Sequence, residues 1–283
     1  MTKKIAFFDV DGTLVGDAGI PTQATIDAIR QFQAQGHLAM VCTGRSKPEI
    51  LPEIMAIGFD GIIGAGGGFI SIGEDIIHHH TMPEADVREI IQFFKANEIE
   101  YYLESNSGLF GSDNYSEKIT ETIAEYTNRN LAETISLREK FSWFDQLIAS
   151  FANQPIDYAD VNKISFINNR FAYQSIADKF GHQFEMFNMT VPFFGKESGE
   201  IAVKGNDKET AITIVLNKLG MTKEDAISFG DANNDLAMFR ACGYNIAMGN
   251  GTEELKVAAD EVTSDVDHDG IAVSLEANQY FKM

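Results

Sequence analysis

The sequence predicts an α/β fold: a parallel-sheet core interrupted by an inserted α+β unit and completed after it. Three observations predict this. Up to residue 82, short apolar runs alternate with helical patterns. Between residues 83 and 194, strands and helices mix without that regularity. From residue 195 the alternation resumes and continues to Thr263. A strand–helix–strand order implies parallel strands joined by right-handed crossovers. One domain (1–82 and 195–283) carrying a second as an insertion (83–194) accounts for the break.

Ile5 to Phe8 reads as a buried strand. Pro21 to Gln35 reads as a helix, with Ile26, Ile29 and Phe32 at three-residue spacing and Gly36 just past its end. Leu38 to Cys42 is a second apolar strand. Five glycines between Gly61 and Gly68 imply tight bends or close backbone packing. Neither GxGxxG nor GxxxxGK[ST] is present there, which argues against a nucleotide loop. Phe69 to His80 reads as a hairpin across Gly73-Glu74-Asp75. In the insertion, Val87, Ile90, Ile91 and Phe94 give a helix over Glu84 to Ala96. Tyr101 to Leu103 and Lys163 to Ile167 read as strands. Tyr115 to Tyr126, Trp143 to Ala152 and Phe171 to Phe180 read as helices. After the insertion come helix Ala211 to Leu219, strand Ala226 to Phe229, helix Leu236 to Ala241, strand Asn245 to Met248, helix Glu253 to Ala259 and strand Glu261 to Thr263.

A formal net charge of -20 argues against nucleic acid or an anionic membrane as partner. It also requires a local positive site for any anionic substrate. No apolar run suits a membrane-spanning helix. The early first strand predicts no signal peptide. The two cysteines, Cys42 and Cys242, have no CxxC spacing, so they read as reduced thiols of a cytoplasmic protein rather than a disulfide or zinc framework.

Chemistry concentrates where strands end, which is where open parallel sheets bind ligands. Three apolar strands run into polar clusters: Asp9-Val10-Asp11-Gly12-Thr13, Thr43-Gly44-Arg45, and Gly230-Asp231-Ala232-Asn233-Asn234-Asp235. Each cluster alone reads as an ordinary polar turn. If the strands are neighbours, Asp9, Asp11 and Asp231 crowd together and repel unless a cation sits among them. An oxygen-rich set of this kind suits Mg²⁺, which keeps waters and takes a phosphate oxygen. Asp9 and Asp11 are two apart, so on extended backbone both would face the same way.

The set of "DVDGT", "TGR", a lysine ahead of a helix, and "GDANND" resembles the four motifs of the haloacid dehalogenase-like hydrolase superfamily. The tail "NIAMGNGTEELKVAADEVTSDVDHDGIA" resembles the Cof-type, sugar-phosphatase-like branch. The resemblance implies a Rossmann-like core with a large α+β cap that sets substrate specificity. It implies a Mg²⁺-dependent phosphatase acting on small phosphate monoesters such as a sugar phosphate, a nucleotide or a phosphorylated cofactor. It makes Asp9 the nucleophile that forms an aspartyl-phosphate and Asp11 the general acid and base. The metal is held by Asp9, Asp231 and the backbone carbonyl of Asp11. The phosphoryl group is held by the Val10 N–H, Thr43, Gly44, Asn234 and a lysine. That lysine is Lys208 by its place three residues before an alanine, with Lys204 the other candidate. Asp235 is the acid behind the metal. Arg45 clamps the substrate or pairs with a cap carboxylate. Gly66 stands where relatives carry an asparagine, which leaves any substrate contact from that position open. A phosphomutase of the same superfamily and a non-catalytic phospho-ligand sensor are the alternatives.

His78, His79 and His80 would alternate faces on a strand, so they read as structural rather than as a metal cluster. The ten methionines read as core filler.

Overall fold

The computed structural model describes residues 3–189 and 191–277. The chain begins with strand β1 (Ile5–Phe8), helix α1 (Gln23–Ala34), β2 (Leu38–Cys42), the one-turn α2 (Pro52–Met55), β3 (Gly61–Gly64), β4 (Phe69–Ile72) and β5 (Asp75–His79). There follow α3 (Glu84–Ala96), β6 (Glu100–Ser105), β7 (Leu109–Gly111), α4 (Tyr115–Tyr126), α5 (Leu131–Lys140), α6 (Ser142–Phe151), β8 (Val161–Ile167), α7 (Tyr173–Phe180), β9 (Phe184–Asn188) and β10 (Gly199–Val203). The chain closes with α8 (Lys208–Leu219), β11 (Ala226–Gly230), α9 (Leu236–Ala241), β12 (Tyr244–Ala247), α10 (Glu253–Ala258), β13 (Glu261–Val262) and α11 (Gly270–Ala277).

These elements form two compact units. The first comprises 1–45, 50–79 and 205–283, and the second comprises 46–49 and 80–204. The first unit holds an eight-stranded sheet of order β13-β12-β11-β1-β2-β3-β4-β5. Its strands are parallel from β13 to β3, and the β4–β5 hairpin continues it antiparallel. Alternation along β1 explains its two-sided core. Ala6 and Phe8 pack with Ile29 and Phe32 of α1 and Ile271 of α11, and Ile5 and Phe7 pack with Ile212 and Val215 of α8. Helices on both faces bury the central strands, so β1 is apolar throughout rather than alternating.

The second unit holds an antiparallel sheet of order β7-β6-β8-β10-β9. One face packs Leu103, Ile164, Phe166 and Ile201 against α3 and α7. The other packs Tyr102 and Ile167 with Ile119, Ile123, Phe144 and Ile148 of α4 and α6. The insertion runs to Lys204, not to 194. Gly199–Val203 pairs with β8 on one side and β9 on the other and so belongs to the inserted sheet. Its start falls at His80 rather than 83, and residues 46–49 group with it. Helix α5 escapes the sequence reading because it buries no residue. It has no apolar stripe for the periodicity to reveal. Among the described residues, no helix is long and apolar enough to cross a membrane.

Candidate active site

Strands β11, β1 and β2 are adjacent and parallel, with Phe8 level with Phe229 on one side and Val41 on the other. Their next residues therefore leave the sheet along one edge. The Asp9 N–H extends the ladder by one bond, donating to the Phe229 carbonyl at 3.0 Å. The chain then turns. The Val10 carbonyl accepts from the N–H groups of Thr13, Leu14 and Val15 at 3.3, 2.9 and 3.0 Å. The β1 ladder therefore ends at Asp9, and the two carboxylates differ in burial. Asp9 is buried, whereas the Asp11 side chain is 64% exposed.

Gly12 makes this turn possible. Its φ is +80°, and a Cβ there would stand 2.3 Å from Asp231 Oδ2, so a side chain would collide with a carboxylate the site uses. Asp231 is fixed by Thr13, whose Oγ1 donates to Asp231 Oδ1 at 3.2 Å.

Lys208 opens α8, whose N-cap Asp207 accepts from the Thr210 N–H at 2.7 Å. Gly67, at φ +114°, lets its loop reach that cap, since a Cβ would meet the Asp207 carbonyl at 2.5 Å. The Lys208 side chain is 4% exposed, and its Nζ lies 2.6 Å from both Asp9 Oδ1 and Asp235 Oδ1. Asp235 Oδ2 accepts from the N–H groups of Asp231 and Ala232 at 3.0 and 3.1 Å. Lys204 lies in the second unit and donates to the carbonyls of Gly181 and His182 at 2.8 and 3.1 Å.

Arg45 follows Gly44 in the polar cluster after β2. It grips Asp11 in a bidentate pair, Nε to Oδ2 at 2.9 Å and a terminal guanidinium nitrogen to Oδ1 at 2.6 Å. Thr43 is buried, and its Oγ1 accepts from the Arg45 N–H at 3.1 Å. Gly44 lies between them with open space where a Cβ would be. Val10 is fully buried, and Asn234 is exposed on the turn Asn233–Asp235. Gly66 takes φ +63° and also faces open space. His78 and His79 pair with Ile70 and Phe69 in the β4–β5 hairpin.

Sequence reasoning assigned no role to Asn250, which ties two loops together. Its Nδ2 donates to the Gly12 carbonyl at 2.8 Å and its Oδ1 accepts from the Val266 N–H at 3.0 Å. Nearby, Thr252 Oγ1 donates to Asn233 Oδ1 at 2.6 Å, holding the third cluster's turn. The only signal was "GNGT" following β12 at the same sheet edge.

One carboxylate oxygen from each of Asp9, Asp231 and Asp235 falls within 4.8 Å of the others. Burial pushes the Asp9 carboxyl up to about 8 against the pull of Lys208, with Asp235 and Asp231 adding to the rise. Burial, then Asp235, pushes Asp231 up to about 6. Burial works to lower Lys208, but Asp9 and Asp235 outweigh it and hold the ammonium charged. Negative charge thus exceeds positive charge in a buried place, and the donors are all hard oxygens. That set fits a divalent cation. Asp235 is committed to Lys208 and two N–H groups, so Asp9 and Asp231 are the carboxylates suited to ligation.

Residues 6–275 match the family described as haloacid dehalogenase-like hydrolase. The chain belongs to this family. Over 95% of its length it is 23% identical to 97% of phosphatase YwpJ of Bacillus subtilis (strain 168). Over 96% it is 26% identical to 97% of pyridoxal phosphate phosphatase YbhA of Escherichia coli (strain K12). In fold it resembles the subclass IIB sugar phosphatase BT4131, with a TM-score of 0.70, 21% identity and coverage of 97% of this chain and 98% of that one. The family is one of hydrolases, and the two relatives and the solved structure named here are phosphatases. The four strand-end and helix-start clusters that resemble the family's motifs all lie in the first unit.

Proposed function

We propose that the chain hydrolyses small phosphate monoesters with Mg²⁺ through an aspartyl-phosphate on Asp9. The observation that carries this reading is Lys208, 2.6 Å from Asp9 and from Asp235 at the carboxyl ends of the central strands. A buried ammonium held beside a buried carboxylate is suited to a phosphoryl group, whose negative charge it offsets as the Asp9 oxygen approaches phosphorus.

The Asp9 oxygen forms a bond to phosphorus while the bond to the ester oxygen breaks, and Asp11 gives that oxygen its proton. Water then attacks the same phosphorus, Asp11 takes its proton, and Asp9 and phosphate are released. Arg45 holds Asp11 in a bidentate grip, so Asp11 must release Arg45 to act. The Val10 N–H, Thr43, Gly44 and Asn234 orient the phosphoryl oxygens. The cation, held by Asp9, Asp231 and the Asp11 carbonyl, would supply charge neutralisation for nucleophile and phosphate. The inserted unit supplies substrate specificity. A net charge of -20 favours small-molecule substrates over nucleic acid or membrane partners, and two buried free thiols suit the cytoplasm. Release of inorganic phosphate from p-nitrophenyl phosphate, with and without Mg²⁺, tests the reading. Full activity after exhaustive chelation would reject the cation.

Asp11→Asn is expected to slow turnover of an alkyl ester by roughly 10²–10⁴. It should slow p-nitrophenyl phosphate less, because nitrophenolate leaves without a proton. Equal losses on both esters in kcat/KM, which reports the first step and not the later hydrolysis that Asp11 also serves, would remove Asp11 from the acid role.

Cation binding should strengthen as pH rises. Asp9 and Asp231 have carboxyls raised to about 8 and about 6 in the folded chain. A raised carboxyl opposes folding as pH climbs from its unfolded value toward its folded one. A cation must displace those protons and relieves that opposition once they are lost. The rise in thermal midpoint with Mg²⁺ should therefore be larger at pH 8.5 than at pH 5.5. An equal or smaller rise at pH 8.5 would contradict the ligand assignment.

A further inference from the structure

The loop Gly249 to Thr252, which follows β12, touches the backbone of both turns that carry candidate cation ligands. The Thr252 N–H donates to the Asp231 carbonyl at 2.8 Å, and Asn250 Nδ2 donates to the Gly12 carbonyl at 2.8 Å. Gly251 lets the loop come this close, since a Cβ there would stand 3.1 Å from the Asp231 carbonyl oxygen and 2.8 Å from that of Met248. Asn250 Oδ1 accepts from the Val266 N–H at 3.0 Å. Asn250 is exposed, yet its amide spends both a donor and an acceptor on backbone groups of two other segments.

Gly12 explains why that amide matters. The Asp11 carbonyl and the Gly12 N–H share one rigid peptide plane. That N–H donates to the Val15 carbonyl at 2.8 Å, which fixes where the Asp11 carbonyl points. The next plane joins the Gly12 carbonyl to the Thr13 N–H, whose bond to the Val10 carbonyl is long, at 3.3 Å. Between the two planes stands a glycine at φ +80°, the joint with the least steric restraint. Asn250 holds the second plane by its carbonyl. Thr13 then carries the Oγ1 that donates to Asp231 Oδ1 at 3.2 Å. The joint at Gly12 therefore lies between two groups suited to the cation. On one side is the Asp11 carbonyl, and on the other, through Thr13, is the Asp231 carboxylate. Mg²⁺ demands near-octahedral geometry, so play at this joint weakens its binding. Residues that orient metal ligands typically change affinity by about 10–100-fold.

We propose that Asn250 is a positioning residue of the cation site, which sets the affinity for Mg²⁺ by pinning the Gly12 carbonyl. The place calls for a donor and an acceptor side by side, which an asparagine amide supplies. An aspartate carboxylate offers acceptors only and would set one against the Gly12 carbonyl. The inference rests on the cation assignment of the proposed function and deepens it.

The test reads binding on the full chain without substrate. The probe is Mn²⁺, which favours the same hard oxygen donors, followed by the loss of its free-ion electron paramagnetic resonance signal. Asn250→Ala and Asn250→Asp are each expected to weaken Mn²⁺ binding by at least about fivefold, and Mg²⁺ should compete with the same loss of affinity. The aspartate variant separates positioning from charge. An added carboxylate would tighten cation binding by attraction alone, whereas loss of the bond to Gly12 weakens it. The shortfall in p-nitrophenyl phosphate turnover at low Mg²⁺ should narrow as Mg²⁺ is raised. Because Asn250 is exposed, both variants should fold, which thermal melts verify. Folded variants that bind Mn²⁺ as tightly as the parent, or an aspartate variant that binds it more tightly, would overturn the inference. A parent chain that binds neither ion would remove the cation assignment and this inference together. Weakened binding in a chain that turns over no ester would uphold the role of Asn250 and reject the phosphatase reading.

Discussion

Asp9→Asn is expected to reduce turnover on the order of 10⁴–10⁶-fold, the range associated with removing a covalent nucleophile. The amide keeps the shape of the carboxylate, but its oxygen does not attack phosphorus. The fold should survive. Asp9 sits 5% exposed at the end of β1, with a carboxyl that burial pushes up to about 8, and a neutral amide relieves that cost at neutral pH. Lys208 keeps Asp235 as its partner. The expected pattern is a thermal midpoint close to that of the parent chain, no burst of product, and no phosphoprotein after brief exposure to substrate. Turnover within tenfold of the parent would sink the assignment of Asp9 as nucleophile.

Lys208→Met should have the second-largest effect, and it should act on stability as well as rate. Removing the ammonium leaves Asp9 and Asp235 as buried carboxylates without their cationic partner. Breaking a buried pair in this way costs about 3–5 kcal/mol, and protonation of Asp9 would soften that. Turnover should fall by at least roughly 10²–10³, the cost of losing one preorganised group that stabilises developing charge. Lys204→Met is the control. Lys204 is an exposed residue of the other unit that donates to Gly181 and His182. Denaturant melts and phosphate release on both variants separate the two lysines. A Lys208→Met protein as stable and active as Lys204→Met would refute the role given to that ammonium.

Much of the first unit was legible in the sequence because its strands are short apolar runs buried on both faces and its helices carry apolar stripes. Leu38–Cys42 and Leu236–Ala241 are read to the residue. So are Glu84–Ala96 and Tyr115–Tyr126 of the second unit, for the same reason. The reading weakens where burial is one-sided or absent. Helix α5 buries nothing. Strand β9 follows the pattern buried, exposed, half-buried, exposed, exposed, a weak signal. The end of the insertion was misplaced because a strand's sheet membership depends on its partners. Gly199–Val203 carries no mark of whether it pairs with the core or with β8 and β9.

The same division runs through the candidate site. The sequence by itself determined the residue types and their places along the chain: Asp9 and Asp11 after β1, Thr43 to Arg45 after β2, Lys208 at the head of α8, and the acidic turn after β11. Those follow from local rules, because a strand's end and a helix's first turn are set within a few residues. Only the tertiary structure decided who holds whom. It put Lys208 between Asp9 and Asp235 and gave Asp11 to Arg45. It used Asn250 to pin the Gly12 carbonyl, and it collected Glu104, Lys163 and Glu200 from three strands. These partners are separated by 27 to 238 positions in sequence where a direct hydrogen bond joins them. A charge finds its counter-charge through the sheet order that brings them together, and that order is a property of the packed chain, not of any one segment.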